Sequence, residues 1–256
     1  MAPVPPELPP TPDSATRSRD RIFLATEWRD LVMLNYEIDP ALLRPFVPRG
    51  TELDSFAGKT YLSLVGLRFA RTRLFGSIPV PFHKNFDEVN LRIYVRRREG
   101  SELRRGVTFI REIVSLPAVT LVARVAYAEN YMTLPLRHSI NLTDSGGSVE
   151  YSWIFKQQRF RIRAQTEGAS SRAADGSLEQ FISEHYWGYA RRRQSTLEYH
   201  VAHAPWRIWR AANAISEGDG RIIYGFTLGK ALSHPPSSAF IADGSPVLVY
   251  AARRIE

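Results

Sequence analysis

Charged side chains interrupt two otherwise apolar stretches of this chain, and they are the residues best suited to chemistry. The stretches are PFHKNFDEVNLRIYV (81–95) and GVTFIREIVSLPAVTLVARV (106–125). Carboxylates can transfer protons, and the planar guanidinium of arginine binds carboxylate or carbonyl oxygens. The candidate pocket residues are Glu88, Arg92, Arg111 and Glu112. These residue types predict a pocket but define no reaction.

The second stretch reads as a strand that is apolar on both faces. Strict alternation places Arg111 on one face, with Val107, Phe109 and Ile113, and Glu112 on the other. A lone buried charge costs several kcal/mol unless it is paired, so each of these two charges should have a partner. Glu88 and Arg92 are the nearest options. A structural ion pair, a ligand-binding or catalytic pair, and simple exposure all remain open.

In the first stretch, the polar residues share one face of a predicted strand from Phe86 to Arg97. That face carries Phe86, Glu88, Asn90, Arg92, Tyr94 and Arg96. It is either a solvated outer face or the lining of a cavity inside a barrel. In the second case Glu88 acts as acid or base, and Arg111 and Glu112 complete the predicted catalytic set.

Two further groups are candidate ligand-binding residues. His83, Lys84 and Asn85 precede the first strand, and loop residues at a strand entrance often carry function. His185, Tyr186 and Trp187 follow a predicted helix and form either satisfied core residues or an aromatic pocket wall. The predicted ligand-binding set is His83, Asn85, Arg92, His185, Tyr186 and Trp187.

Metal and cofactor sites are not indicated. The six histidines do not cluster at ligand spacing, and the absence of cysteine excludes disulfides, thiolate ligands and a cysteine nucleophile. No G-x-S-x-G, P-loop, G-x-G-x-x-G or H-E-x-x-H motif occurs, which argues against the enzyme classes that use them. We therefore predict no cofactor and no metal.

The composition is that of a globular protein with a basic surface. Of 256 residues, 44% are hydrophobic, and the formal net charge is +8. The 34 basic residues are mostly arginine, with only four lysines, and are scattered along the chain. Because no nucleic-acid recognition motif accompanies this charge, nucleic-acid binding is disfavoured and a small molecule is the expected partner.

The chain reads as one domain after a tail. Residues 1–20 are rich in proline and are predicted to be disordered, and residues 21–256 to form a single domain. No apolar run reaches the length of a membrane span, and no secretory signal pattern is present. These features predict a cytoplasmic protein without membrane association.

Short strands separated by turns dominate the predicted elements. Asp39 and Pro40 indicate the start of a short helix, and Ser177 to Gln180 forms a capping box for another. Strands are predicted from Val107 to Val114, from Ala118 to Tyr127 and from Ile222 to Leu228. The pattern favours a strand-dominated α+β domain.

Several blocks resemble the uncharacterised YqjF-like bacterial family. They are FLATEWRDLVMLNYEIDPALLRPFVPRGTELDSFAGKTYLSLVGLRF, FHKNFDEVNLRIYVR, GVTFIREIV, SEHYWGY and ADGSPVLVYAARRI, which together span nearly all of Ile22–Ile255. That family is grouped with the acetoacetate decarboxylase-like fold. The resemblance implies an antiparallel β-barrel or cone with short flanking helices around a small cavity. Homo-oligomers are common in that fold, so self-assembly is an open expectation.

The resemblance also predicts a change of chemistry. Acetoacetate decarboxylases place two lysines after an Arg-Glu-hydrophobic triplet, three residues and a proline, and one of them forms a Schiff base. Arg111-Glu112-Ile113 and Pro117 match that frame, but Ala118 and Val119 stand at the lysine positions. Glu88 resembles the pocket glutamate of that family. The resemblance thus implies a cavity without its amine nucleophile.

Three functional hypotheses follow. The first is a small-molecule-binding protein or enzyme that uses acid–base chemistry on a carbonyl or carboxylate compound. The second is a non-catalytic binding or interaction protein with a structural buried charge pair. The third is a residual decarboxylase that uses Lys84.

Overall fold

A computed structural model describes residues 21–79, 84–116, 130–192 and 194–255. Its strands are β1 (Ile22–Ile38), β2 (Glu52–Leu53), β3 (Thr60–Leu74), β4 (Ile78–Pro79), β5 (Phe86–Glu99), β6 (Glu102–Val114), β7 (Tyr131–Thr133), β8 (Leu136–Thr143), β9 (Gly146–Phe155), β10 (Gln158–Arg172), β11 (Trp187–Arg192), β12 (Ser195–His203), β13 (Arg207–Glu217), β14 (Ser238–Tyr250) and β15 (Arg253–Ile255). The helices are α1 (Pro40–Leu43), α2 (Leu178–Ser183), α3 (Arg221–Tyr224) and α4 (Phe226–Ala231), with a 3₁₀ turn at Arg44–Phe46. The predicted tail, His83 and the predicted strand Ala118–Tyr127 lie outside the described residues.

Seven strands close into a ring. The hydrogen-bonded order β12-β11-β6-β5-β3-β1-β14 returns to β12 because the end of β14 (247–249) pairs with β12 (201–203). All pairs in the ring are antiparallel except that of β6 with β11. The prediction of a strand-dominated fold with short helices is confirmed, and its architecture is a ring-like sheet.

A second layer covers one outer side of the ring. From β14 the sheet continues through β13, β10, β9 and β8, and the two layers share an apolar core. At Gly66 of β3, an added Cβ would lie only 2.4 Å from Cδ2 of Tyr151 in β9. Glycine at this position therefore allows the two layers to approach each other.

The side chains on the two faces of β5 pack into different apolar cores. Val89, Leu91 and Ile93 pack between the layers, whereas Phe86 and Tyr94 belong to the apolar cluster inside the ring. The polar face of β5 therefore points into the ring and not to solvent.

A β-bulge in β6 changes which of its side chains face inward. The register shifts between the pairs Leu91–Arg111 and Arg92–Phe109, which leaves Ile110 as an extra residue. Val107 and Phe109 face inward before the bulge, and Glu112, opposite Asn90, faces inward after it. The prediction that Phe109 and Arg111 share a face was wrong because strict alternation does not survive the inserted residue.

The predicted helix starts are confirmed. The Asp39 side chain accepts a hydrogen bond from the Ala41 amide, and Ser177 Oγ accepts one from the Gln180 amide. The predicted strand Ile222–Leu228 was wrong, since this segment forms α3 and α4 with Gly225 between them. A short apolar run has no period that separates strand from helix, which explains the error. Among the described residues, no helix has the length and apolarity to cross a membrane.

Candidate functional site

Three polar side chains follow one another along the inner face of β5. Glu88 and Asn90 are each 3% exposed and Arg92 is 7% exposed. We call these three residues the inner row. Polar groups buried to this extent normally have hydrogen-bond partners, so each atom that lacks one requires an explanation.

Glu88 is a carboxyl group in a desolvated setting. Asn90 Nδ2 donates to its Oε1 at 2.9 Å, and the Tyr131 hydroxyl lies 3.5 Å from its Oε2. Burial raises the pKa of Glu88 to about 7, although the two hydrogen bonds and the charge of Arg92 oppose that rise. A carboxyl group with such a pKa can both donate and accept a proton near neutral pH.

Arg92 is a buried cation that forms no salt bridge with a carboxylate among the described residues. Its Nη2 donates to the carbonyl oxygen of Ile182 at 3.2 Å, and its guanidinium carbon lies 5.6 Å from the centre of the Tyr94 ring. Its Nε is buried and has no hydrogen-bond partner among the described residues. An arginine fixed inside a protein with free donors is suited to binding an anion.

Arg111 lies on the opposite face of the hairpin from Glu88. It pairs with Leu91 in register and donates from Nη1 to Asn130 Oδ1 at 3.0 Å, in an exposed contact. Its Nε is also buried without a partner, but the side chain as a whole is only half-buried. The structure therefore does not bring the predicted pair Glu88 and Arg111 together, because the bulge in β6 turns Arg111 outward.

Glu112 is the second carboxylate on the inner face. It is 2% exposed and lies opposite Asn90 in the β5–β6 register. Of the predicted catalytic residues, the structure brings Glu88 and Glu112 to the same face.

His185 forms a buried pair with Asp54. Its Nε2 lies 3.4 Å from Asp54 Oδ2, and the two side chains are 1% and 0% exposed. Burial lowers the pKa of His185, so the imidazole is neutral at pH 7. Burial would raise the pKa of Asp54, but the hydrogen bonds from His185 and Arg105 outweigh it and lower that pKa. His185 Nδ1 is buried without a partner within the described ranges.

An aromatic wall continues this inner surface. The ring of Tyr186 lies 4.9 Å from that of His203, which stacks on Trp206 at 4.6 Å. Burial lowers the pKa of His203 to about 4, with a smaller contribution from the charge of Arg92. The predicted residue Tyr186 thus belongs to this wall.

Trp187 belongs to a different cluster near the turn between β5 and β6. The guanidinium carbon of Arg104 lies 4.3 Å from the centre of its ring. We define the hairpin network as Arg97, Glu99, Arg104, Glu198 and Arg253. In this network Glu198, whose side chain is 0% exposed, accepts hydrogen bonds from Arg104 at 2.9 Å and Arg253 at 2.7 Å.

The two described residues directly before β5 are exposed to solvent. Asn85 is exposed, and its Oδ1 accepts a hydrogen bond from the Arg71 amide at 3.0 Å. Lys84 is exposed as well. The predicted ligand residue His83 and the two decarboxylase lysine positions, Ala118 and Val119, lie outside the described residues.

Asp54 and His203 are inner residues that our sequence reasoning did not assign to the site. Asp54 lies 131 positions from its partner His185, and no local pattern indicates that pairing. In the segments that the structure covers, no three His, Asp or Glu side chains are arranged to hold a metal ion.

Sequence comparisons connect the chain with one family. The DUF2071 family, described as "Uncharacterized conserved protein", matches residues 25–251. The protein described as "Uncharacterized protein YqjF" from Bacillus subtilis (strain 168) is 24% identical over 204 residues, which are 78% of this chain and 81% of the relative.

Solved structures with a similar fold include acetoacetate decarboxylase-like enzymes. Acetoacetate decarboxylase from Legionella pneumophila subsp. pneumophila str. Philadelphia 1 superposes with a TM-score of 0.64 and 11% identity, covering 91% of this chain and 87% of that one. The enduracididine biosynthesis enzyme MppR, complexed with pyruvate, gives a TM-score of 0.64 and 14% identity, covering 100% and 99%. At these identities the likeness establishes the fold.

Proposed function

The chain belongs to the DUF2071 family, and on that basis we propose that it binds a small carboxylate compound inside its ring of strands. Arg92 holds the carboxylate, and Glu88 is the nearby acid–base group. The proposal retains the predicted pocket but assigns the anion-binding role to Arg92 in place of Arg111. It uses no Schiff base, since Ala118 and Val119 have no amine.

The observation that carries this proposal is the burial of Arg92 without a carboxylate partner among the described residues. A buried charge is costly to maintain, and among the described residues that cost is offset by the Ile182 carbonyl, the Tyr94 ring and the charge of Glu88, with no direct ion pair. Glu88 and Arg92 interact through their charges, with no direct salt bridge between them among the described contacts. A ligand carboxylate would supply the missing charge and accept a hydrogen bond from Nε.

The fold supports the same proposal more broadly. Its structural neighbours include acetoacetate decarboxylase and MppR, the latter in complex with pyruvate. By their descriptions, the first is a decarboxylase and the second a biosynthesis enzyme with a small compound bound, which supports a small-molecule role for a chain of similar fold. Whether this chain also performs a reaction depends on Glu88, whose pKa of about 7 suits proton transfer.

The test is a binding experiment with a matched control. Wild-type protein, Arg92→Met and Arg111→Met are titrated calorimetrically with propionate, pyruvate and L-lactate. We expect at least one of these acids to bind, Arg92→Met to weaken it by about tenfold or more, and Arg111→Met to leave it unchanged. If no acid binds, or if Arg92→Met binds as the wild type does, the proposal fails.

A separate experiment addresses the Lys84 hypothesis. Borohydride reduction in the presence of a β-ketoacid would trap an imine at Lys84, whose side chain is exposed. We expect the intact mass to remain unchanged. An added mass at Lys84 would instead support Schiff-base chemistry.

A further inference from the structure

Two buried polar atoms, one on Arg92 and one on His185, have no hydrogen-bond partner among the described residues. Nε of Arg92 can only donate, because guanidinium has no acceptor. Nδ1 of His185 is the second atom, and its character depends on the imidazole tautomer. The Arg92 guanidinium also donates to the carbonyl of Ile182, three residues before His185, so both groups belong to the region around the end of α2.

The environment of Asp54 determines that tautomer. Its carboxylate accepts hydrogen bonds from Arg105 Nε at 2.8 Å and from the Ser55 amide at 3.0 Å. These donors stabilise the ionised form, and an ionised carboxylate can only accept. Nε2 of the neutral His185 must therefore carry the proton that points at Asp54, and Nδ1 carries the lone pair.

The site thus presents a fixed donor and a fixed acceptor. A plain carboxylate would satisfy Arg92 and leave the lone pair of His185 Nδ1 desolvated and unpaired, which costs free energy. A keto acid offers only acceptors and would also leave it unpaired. A carboxylate that carries a hydroxyl group can satisfy both atoms.

We propose that the molecule bound at Arg92 is a small hydroxy acid, whose carboxylate accepts from Arg92 and whose hydroxyl donates to Nδ1 of His185. This inference rests on the proposed function and specifies its ligand class. Asp54 is a positioning residue, since it acts on the ligand only through the tautomer of His185.

The experiment compares acids of matched carbon skeleton. Propionate, L-lactate, 3-hydroxypropionate and pyruvate are titrated into wild-type protein, His185→Phe and His138→Phe. His138 is the control because it also pairs with an aspartate, Asp87 at 2.7 Å, but its side chain is 39% exposed. We expect one hydroxy acid to bind at least about tenfold more tightly than propionate and pyruvate. His185→Phe should abolish that preference, and His138→Phe should retain it.

A measurement on the wild type keeps the test decisive if His185→Phe does not fold. Long-range ¹H–¹⁵N correlation spectra should show His185 protonated at Nε2 and not at Nδ1, and Asp54→Asn should remove this restraint and reduce the hydroxy-acid preference.

Two failures can be told apart. If the wild type binds propionate as tightly as both hydroxy acids, or if His185 is protonated at Nδ1, the hydroxy-acid inference is wrong while the carboxylate site stands. If none of the acids binds, the proposed function and this inference both fail.

Discussion

Two buried arginines of the β5–β6 hairpin, Arg104 and Arg92, have opposite electrostatic surroundings. In the hairpin network, Arg104 contacts Glu99 at 2.5 Å and Glu198 at 2.9 Å, and it also contacts the exposed Glu102 at 2.8 Å. In the inner row, Arg92 is buried to a similar extent and forms no salt bridge with a carboxylate among the described residues. Removing one member of a paired cluster leaves the opposite charges buried and uncompensated, which destabilises the fold. Removing a buried charge that has no partner removes its desolvation penalty instead. Burial alone therefore does not identify a structural arginine; its partners do.

The largest expected effect lies in the hairpin network. Glu198→Gln should lower the free energy of unfolding by about 3 to 5 kcal/mol, because three arginines then lose their common buried carboxylate. Urea denaturation monitored by circular dichroism measures the change. Glu102→Gln is the control, since its side chain is 54% exposed and its loss should cost about 1 kcal/mol or less. Equal effects of the two substitutions would show that the network is not a cooperative unit.

The next effect is a pH dependence that comes from the inner row. Because burial raises the pKa of Glu88 from 4.5 to about 7, the folded state binds a proton that the unfolded state has released between these values. Its contribution to stability is present below pH 4.5 and is lost as the pH rises through about 7. The difference amounts to a loss on the order of 3 kcal/mol.

Glu88→Gln isolates that contribution from those of other titrating groups. Unfolding is measured from pH 4.5 to 8 for both proteins, and stability should fall with pH more steeply in the wild type than in the variant. Parallel profiles would contradict the raised pKa. A ¹³C NMR titration of the Glu88 carboxyl provides a direct second reading.

Arg92→Met sharpens the comparison between the two arginine environments. The substitution removes an unpaired buried charge but leaves the carbonyl of Ile182 without its donor. The free energy of unfolding should be unchanged or higher by about 1 kcal/mol, while Arg104→Met should lower it by about 3 kcal/mol. Thermal and urea unfolding of the two variants provide the measurement. If Arg92→Met is as destabilising as Arg104→Met, then Arg92 is a structural residue.

The smallest effect is expected at Arg111. Its side-chain hydrogen bond to Asn130 is exposed, so Arg111→Met should change the free energy of unfolding by less than about 1 kcal/mol. Urea denaturation of Arg111→Met, run in parallel with Arg92→Met, measures this change in the free energy of unfolding. A loss of several kcal/mol would mean that the outward face of β6 depends on this charge.

The sequence was a good guide to the strands and to the importance of their charges. Period-two patterns predicted β5 and much of β6, and Asp39 and Ser177 marked two helix starts through their capping side chains. The pattern failed at Ile110, where one extra residue reversed the faces of β6. It also failed at Ile222–Leu228, since apolar content alone does not separate helix from strand.

What the sequence by itself determined is the local chemistry: two charged strands, a strand-dominated fold and the lack of lysine at positions 118 and 119. What only the tertiary structure decided is which charges meet. Closure of the ring placed the polar face of β5 inside, and a single bulge separated Glu88 from Arg111. Long-range folding also joined His185 to Asp54 across 131 positions. The physical reason is that alternation along a strand is local, whereas the inside of a ring and the partner of a buried charge are set by contacts between distant segments.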